Sequence, residues 1–194
     1  MTNINDTSTG THPMKDRIAR ALRTSQERFR DVADAVELSL AEAVKRADEA
    51  ADSIASLTDL IQSTIDGAVH AGSELADVAK GVWVGVLRGT RRKGDAALQE
   101  LTHAARTIMC HTAALGGDMA AAARGIVQGS IHCAKEWGLD ARNAASAAAR
   151  RVLDVTEDLG AAAREEVRRA MSGKIEGVQV PLDRPFSEKE KEKS

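Results

Sequence analysis

Cysteine and histidine stand side by side at two places in this chain, and both side chains are metal ligands. The pairs are Cys110-His111 and His132-Cys133, with His103 near the first of them. A structural zinc ion needs about four such ligands at one point. In an antiparallel helical hairpin that turns at Gly116, position 110 would face about position 123, which leaves His132 about 13 Å farther along the second helix. We therefore predict no metal site and no cofactor.

No catalytic pattern stands out elsewhere in the sequence. The chain lacks a glycine-rich phosphate loop, a GxGxxG fingerprint after a strand, an HExxH motif and any Ser/His/Asp arrangement that we can place. The arginine clusters have no interleaved aromatic side chains and the formal net charge is −2, so we expect no nucleic-acid partner. The sequence predicts a protein without enzymatic activity.

The composition predicts a helical protein, so that any functional surface would be formed by helices. Hydrophobic residues make up 43% of the 194 residues and aromatic residues 2%, and much of the apolar fraction is alanine. Ala, Leu, Arg, Glu and Lys lead the helix-propensity scale. Alanine buries little area, and at about 25 cal/mol per Å² it gives a shallow core. We predict an all-α fold.

The first third of the chain is predicted to form one long amphipathic helix after a disordered leader at residues 1–13. Residues 14–66 contain neither Gly nor Pro, and their apolar positions recur every three or four residues. We assign this helix to residues 14–70. Unbroken over residues 14–66, it would be about 80 Å long, too long for a compact domain of this size. It would therefore protrude, pair with another chain, or bend near residues 53–58, where Ser and Thr weaken it.

A repeat fills the second half of the chain. Five glycines lie 22 residues apart: Gly72, Gly94, Gly116, Gly138 and Gly160. In KGD, LGGD and WGLD an Asp follows within two residues, which is typical of one helix ending at Gly and the next beginning at an Asp N-cap. Residues 71–172 are therefore predicted to form helices of about 20 residues, packed as an antiparallel bundle or an elongated array. We predict an extended arm at 173–186 and a disordered charged tail at 187–194.

Glycines four residues apart indicate close contacts between helices. Residues 80–94 read KGVWVGVLRGTRRKG, and the predicted helix-packing glycines are Gly81, Gly85, Gly89, Gly125 and Gly129. Such spacing keeps glycines on one helix face, so that two backbones can approach each other. Gly173 and Gly177 fall in the same columns of the repeat. We favour close packing over membrane engagement, because the apolar run at residues 82–87 is far shorter than the roughly 20 residues of a membrane span.

The long helix opens with what we call the basic segment, residues 15–30. It carries six positive charges against two negative, whereas residues 31–66 carry two against nine. A basic amphipathic helix can lie on anionic lipid, and Trp83 could insert beside it. The residues assigned to surface binding are Arg17, Ile18, Arg20, Leu22, Arg23, Phe29 and Trp83. The alternative is that the apolar stripe is ordinary core and that the arginines pair with the acidic stretch of another copy.

The Ala-rich, Gly-punctuated pattern of 11 and 22 residues is broadly similar to phasins, exchangeable apolipoproteins and late-embryogenesis-abundant proteins. The stretches AAARGIVQGSIHCAKEWGLDARNAASAAARRVLDV and SGKIEGVQVPLDRPF resemble, over about residues 70–186, an uncharacterised bacterial family of Ala/Gly-rich helical proteins with no known catalytic residue. Apolipoprotein units are usually punctuated by Pro instead, and phasins usually lack so strict a Gly period.

The pattern and the small-residue faces suggest a non-enzymatic protein whose helices self-assemble and coat a lipid or hydrophobic granule surface. The alternative is a stress-protectant or chaperone-like protein that binds other proteins. We expect a homo-oligomer in the cytoplasm, at most peripheral to a membrane or granule. The polar leader lacks the apolar region of a signal peptide, and two cysteines make no disulfide framework.

Overall fold

The computed structural model describes residues 28–46, 50–70, 74–90 and 95–182. Within these ranges the prediction of an all-α protein is confirmed, with one small β-hairpin added. The elements are α1 (Arg28–Arg46), α2 (Ala50–His70), α3 (Leu75–Thr90), α4 (Asp95–Ala114), α5 (Met119–Glu136), α6 (Ala141–Glu157), α7 (Ala161–Met171), β1 (Gly173–Ile175) and β2 (Val178–Val180).

The prediction of one long helix is wrong between residues 28 and 70, where the structure has two helices. Val36 of α1 packs against Gly85 of α3. In a continuous helix Val36 would lie about 50 Å from residue 70, whereas at most five extended residues and the ten helical residues from Leu75 to Gly85 together reach about 30 Å. The chain therefore reverses between α1 and α2, and residues 53–58 are helical. Each helix has an apolar face, and folding back buries both faces where a protruding helix would expose them.

Two of the repeat glycines end helices in the predicted way. Gly116 and Gly138 have φ of 65° and 69°. The amide after each of them donates to a carbonyl five residues back, at 2.9 and 2.8 Å, which is the Schellman motif. The carboxylates of Asp118 and Asp140 then accept backbone N–H bonds as N-caps. Gly160 differs, because it is itself the N-cap residue of α7, with φ of 104°.

Helices that lie two apart in the chain run parallel and pack side by side. The side-chain hydrogen bonds described between helices join residues 45 to 54 positions apart. Thr58 of α2 meets His103 of α4, and Asp66 meets His111, so that residue numbers rise together along both helices. The pairs α1–α3, α3–α5 and α4–α6 show the same direction. The structural unit is therefore a helical hairpin of two 22-residue repeats.

This packing forms two layers that run in opposite directions. The odd layer contains α1, α3 and α5, and the even layer contains α2, α4 and α6. Helix α3 contacts α1, α2, α4 and α5, and its residues 81–86 are all buried. A helix that is apolar on all sides is expected in such a central position. The run at residues 82–87 is thus explained as the centre of the core.

The predicted extended arm folds back as a β-hairpin. β1 pairs antiparallel with β2, and Ile175 and Val180 are buried. The two-residue turn has φ of 49° at Glu176 and 81° at Gly177, and hairpin turns of this length favour such positive angles. Gly173 also has a positive φ, of 94°. The expectation that Gly173 and Gly177 belong to a helix-packing face is therefore wrong.

Candidate interaction surfaces

Two glycines of α3 lie against α1. A Cβ on Gly85 would lie 2.6 Å from Val36 Cβ and 2.7 Å from the carbonyl oxygen of Ala33. A Cβ on Gly89 would lie 3.0 Å from Leu40 Cδ1. At Gly85 the backbone of α1 blocks any side chain, whereas at Gly89 the end of a leucine could shift. The approach of α1 to α3 therefore depends on glycine most strongly at position 85.

Two glycines of α5 lie against α3 in the same manner. A Cβ on Gly125 would overlap the carbonyl oxygen of Ala76 and would lie 2.9 Å from both Ala79 Cβ and the backbone nitrogen of Lys80. A Cβ on Gly129 would lie 3.1 Å from the carbonyl oxygen of Lys80. Gly81, the fifth glycine of the predicted set, is buried within α3. The odd layer is thus held at a spacing that a methyl group at position 125 would not permit.

Trp83 lies in the core and not on a surface. It is 1% exposed, and its Nε1–H donates to Ser130 Oγ of α5 at 2.7 Å. Its assignment to surface binding is therefore wrong for the folded chain, because α5 covers it. Of the other residues assigned to surface binding, Phe29 lies in α1 with its side chain outside the described part. The rest lie outside the described residues altogether: Arg17, Ile18, Arg20, Leu22 and Arg23.

The Cys–His pairs serve helix packing. His103 Nε2 lies 2.7 Å from Thr58 Oγ1, and His111 Nε2 lies 3.1 Å from Asp66 Oδ1, so both join α4 to α2. Cys133 is buried, and burial raises the pKa of its thiol to about 12, which keeps it protonated. Among the described residues, no three His, Cys, Asp or Glu side chains are grouped as a metal ion would require.

An ion network centred on Arg88 connects α1, α3 and α5, the three helices of the odd layer. Its guanidinium lies 3.2 Å from Asp34 and 3.8 Å from Glu37 on α1, and 2.9 Å from Glu136 on α5. The hydrogen bond to Glu136 raises the pKa of Arg88. No local sequence pattern singles out Arg88. The repeat could have predicted its contacts, because residues about two repeats apart in the sequence meet where the helices of one layer run parallel.

A second polar contact fixes the hairpin to the odd layer. Lys80 Nζ lies 2.6 Å from Glu176 Oε1, and Lys135 Nζ donates to the carbonyl oxygen of Glu176 at 3.2 Å. His132 lies nearby, with its pKa lowered first by burial and next by the positive charge of Lys80. The hairpin therefore extends the packing against α5 beyond the end of the short α7.

The outer side of α1 carries an exposed surface, which we call the α1 stripe and in which Asp34 also contacts Arg88. It consists of the exposed residues Asp31, Asp34, Leu38 and Ala41. Their spacing of three, four and three residues places them on one helix face. Leu38 is 45% exposed. The stripe therefore combines two carboxylates with an exposed apolar side chain.

A cleft of about 530 Å³ lies beside α6 and α7, lined by residues that include Leu153, Leu182, Glu157 and Arg164. Arg164 and Glu157 lie 3.8 Å apart across it. Because charges of both signs line the cleft, it favours neither an anionic nor a cationic ligand.

The chain matches no protein-family model, and it matches no curated protein. Among the described helices, none combines the length and the apolar character needed to cross a membrane. The resemblance to phasin-like and apolipoprotein-like repeats therefore rests on the sequence pattern.

Proposed function

We propose that this is a non-enzymatic interaction protein that coats a lipid or hydrophobic granule surface as a folded helical array. The observation that carries the proposal is the enclosure of α3. Glycine contacts hold α1 and α5 so close to α3 that separating them would forfeit a large share of the packing in the odd layer. The array should therefore stay folded when the chain binds a surface.

Surface contact is assigned to the basic segment, most of which precedes α1 in the sequence. A basic amphipathic segment gains from both anionic headgroups and the burial of its apolar residues. Attachment at this end leaves the odd layer intact, so the folded array would project from the surface. Many copies attached in this way would form a coat.

The test is flotation of the full-length chain with anionic vesicles while Trp83 reports on the core. Trp137→Phe leaves Trp83 as the single tryptophan. We expect co-flotation, with Trp83 emission unchanged and unquenched by brominated lipid. The variant Arg17→Glu/Arg20→Glu/Arg23→Glu should stay behind. Absence of flotation would contradict surface binding, and quenching of Trp83 would contradict the folded array.

The alternative, a stress-protectant protein that binds other proteins, has less support than a surface coat. Holding client proteins requires a contiguous exposed apolar patch. The exposed large apolar side chains of the described residues are Leu38, Leu98 and Leu139, which belong to α1, α4 and the turn before α6. They form no single patch along one helix. Suppression of client aggregation without lipid, lost when these three leucines become serine, would favour this alternative over a surface coat.

A further inference from the structure

One turn of the array exposes a bulky apolar side chain that its geometry does not require. The turns at residues 115–118 and 137–140 have the same Schellman hydrogen bonds and are each followed by a helix with an Asp N-cap. The first reads LGGD, and the second, which we call the WGLD turn, has Leu139 where the first has Gly117. Leu139 is 61% exposed. Since glycine makes the same turn, packing of the turn does not explain the leucine.

The repeat shows that the WGLD turn is the exception. The residues that follow the five repeat glycines are Ser73, Asp95, Gly117, Leu139 and Ala161. Leu139 alone among these five is large and apolar. Trp137 precedes the same glycine and is partly buried against Val84 and Cys133. The WGLD turn therefore combines an exposed leucine with a tryptophan that retains part of its accessible surface.

Two exposed cations, Lys135 and Arg142, flank the WGLD turn. Lys135 donates to a backbone carbonyl, and in the described part of the chain neither cation forms an ion pair with a carboxylate. The acidic neighbours are engaged within the protein, because Glu136 pairs with Arg88 and Asp140 accepts two backbone N–H bonds as the N-cap of α6. The two cations can therefore interact with an anionic partner.

The WGLD turn lies at the edge of the array where α1, α3 and α5 end and α2, α4 and α6 begin. Leu98, which is 57% exposed, lies in the first turn of α4 at the same edge. The opposite edge contains the turns at residues 115–118 and 158–160. Of the large apolar side chains that the described residues expose, none lies at that opposite edge. Exposed apolar bulk is thus concentrated on one edge.

We propose that the WGLD turn is a lipid contact, in which Leu139 inserts into an anionic bilayer while Lys135 and Arg142 bind its headgroups. Tryptophan favours the boundary between headgroups and acyl chains, where one side of its ring is apolar and the other is wet. Cations beside inserted apolar side chains gain from the negative potential of such a bilayer. Because Leu139 is already exposed, the contact requires no opening of the core.

This inference rests on the proposed function, because it assigns a second contact with the same surface. Helix α1 begins at Arg28, at the edge opposite the WGLD turn and about 28 Å from it along the helix axis. The 27 residues that precede Arg28 are long enough to span this distance. The basic segment and the WGLD turn can therefore contact one surface at the same time.

The experiment places the environment-sensitive fluorophore NBD on Leu139→Cys in a full-length Cys110→Ser chain, where the remaining Cys133 is buried. Ala161→Cys is the matched control, because Ala161 follows Gly160 in the same column of the repeat and is exposed at the opposite edge. Vesicles of phosphatidylglycerol and phosphatidylcholine are then added. We expect a blue shift and stronger emission from the label at position 139, and no change from the label at position 161.

Flotation with the same vesicles measures the affinity. Leu139→Ser should weaken binding about tenfold, since one leucine is no longer buried in lipid, whereas Leu38→Ser, the same change on the side of α1, should not. Arg142→Glu should also weaken binding about tenfold and reduce its dependence on salt. This variant keeps the fold, because a carboxylate is favourable in the first turn of α6.

The outcomes separate this contact from the proposed function. If the wild-type chain floats while the label at position 139 remains in water, or if Leu139→Ser binds as tightly as wild type, the lipid contact of the WGLD turn is overturned and the surface coat stands. If the wild-type chain does not float, the proposed function fails and this contact fails with it. Circular dichroism of each variant verifies that its helicity equals that of wild type.

Discussion

Gly125→Ala is the substitution that most sharply tests the packing of the odd layer. In an isolated helix, alanine would stabilise position 125 by about 1 kcal/mol relative to glycine. In this structure the new Cβ would overlap the carbonyl oxygen of Ala76 and lie 2.9 Å from Ala79 Cβ. Both contacts involve the rigid backbone region of α3. To reach ordinary contact distances, α3 and α5 must separate by roughly 1 Å, a gap that costs about half of each dispersion contact.

The two opposing effects set the expected magnitude. Overpacking of a core costs about 1–3 kcal/mol and occasionally more, and a contact with backbone belongs at the upper end. After the gain in helix propensity, we expect a net loss of about 2 kcal/mol in the free energy of unfolding. For a chain of this length that lowers the melting temperature by about 4–8 °C.

Equilibrium unfolding in urea, followed by far-UV circular dichroism, measures this change. The slope of the transition should stay constant while the midpoint falls. Gly89→Ala is the matched control, because the atoms nearest its Cβ belong to the side chain of Leu40, with Cδ1 at 3.0 Å and Cβ at 3.2 Å, and none of them is a backbone atom. Its stability should change by less than about 1 kcal/mol. If Gly125→Ala were as stable as wild type, the close approach of α5 to α3 would be refuted.

Three further predictions concern individual side chains. Ser130→Ala leaves the buried Nε1–H of Trp83 without its acceptor, so the free energy of unfolding should fall by about 1–3 kcal/mol in urea titrations; an unchanged value would contradict the buried hydrogen bond. Because burial raises the pKa of Cys133 to about 12, the native chain should alkylate at Cys110 well before Cys133. Mass spectrometry of a labelling time course would show this, and equal rates would count against the buried thiol. The pKa of His132 in the folded chain is lowered from its ordinary value of 6.5. Just below pH 6.5 the unfolded chain therefore binds more protons than the folded chain. Stability should therefore fall as pH drops through that region, and His132→Gln should lose less in urea midpoints measured across pH; equal losses would argue against the role of His132.

The elements that local sequence specifies were the ones that could be predicted. The glycine period located the turns at Gly116 and Gly138, since a positive φ and an Asp N-cap are local requirements. The reversal between α1 and α2 could not be predicted in the same way, because neither Gly nor Pro marks residues 47–49. Only the burial of two apolar faces against α3 and α4 requires it.

The hairpin and the ion network could not be predicted from the sequence for two other reasons. Hairpin turns favour Asn-Gly or Asp-Gly, and Glu176 with a φ of 49° gives a weaker signal. The network around Arg88 joins three helices across two repeats, so no local pattern contains it. It follows from the sequence once the parallel register of helices two apart is known. The burial of Trp83 follows from the same register.

That parallel register is the claim on which the layers, the enclosed α3 and the proposed surfaces all depend. Distances between pairs of spin labels at exposed positions of α4 and α6 test it most directly. We predict that labels at Leu98 and Ala147, and labels at Arg106 and Asp158, lie within about 20 Å of each other, since packed helices are about 8–10 Å apart. The crossed pair, Leu98 with Asp158, is offset by the rise of about eleven residues, roughly 16 Å along the helix axis, which should lengthen a distance of about 10–20 Å by roughly 5–10 Å. A short crossed pair with two long matched pairs would mean that α4 and α6 run antiparallel, and would contradict the account.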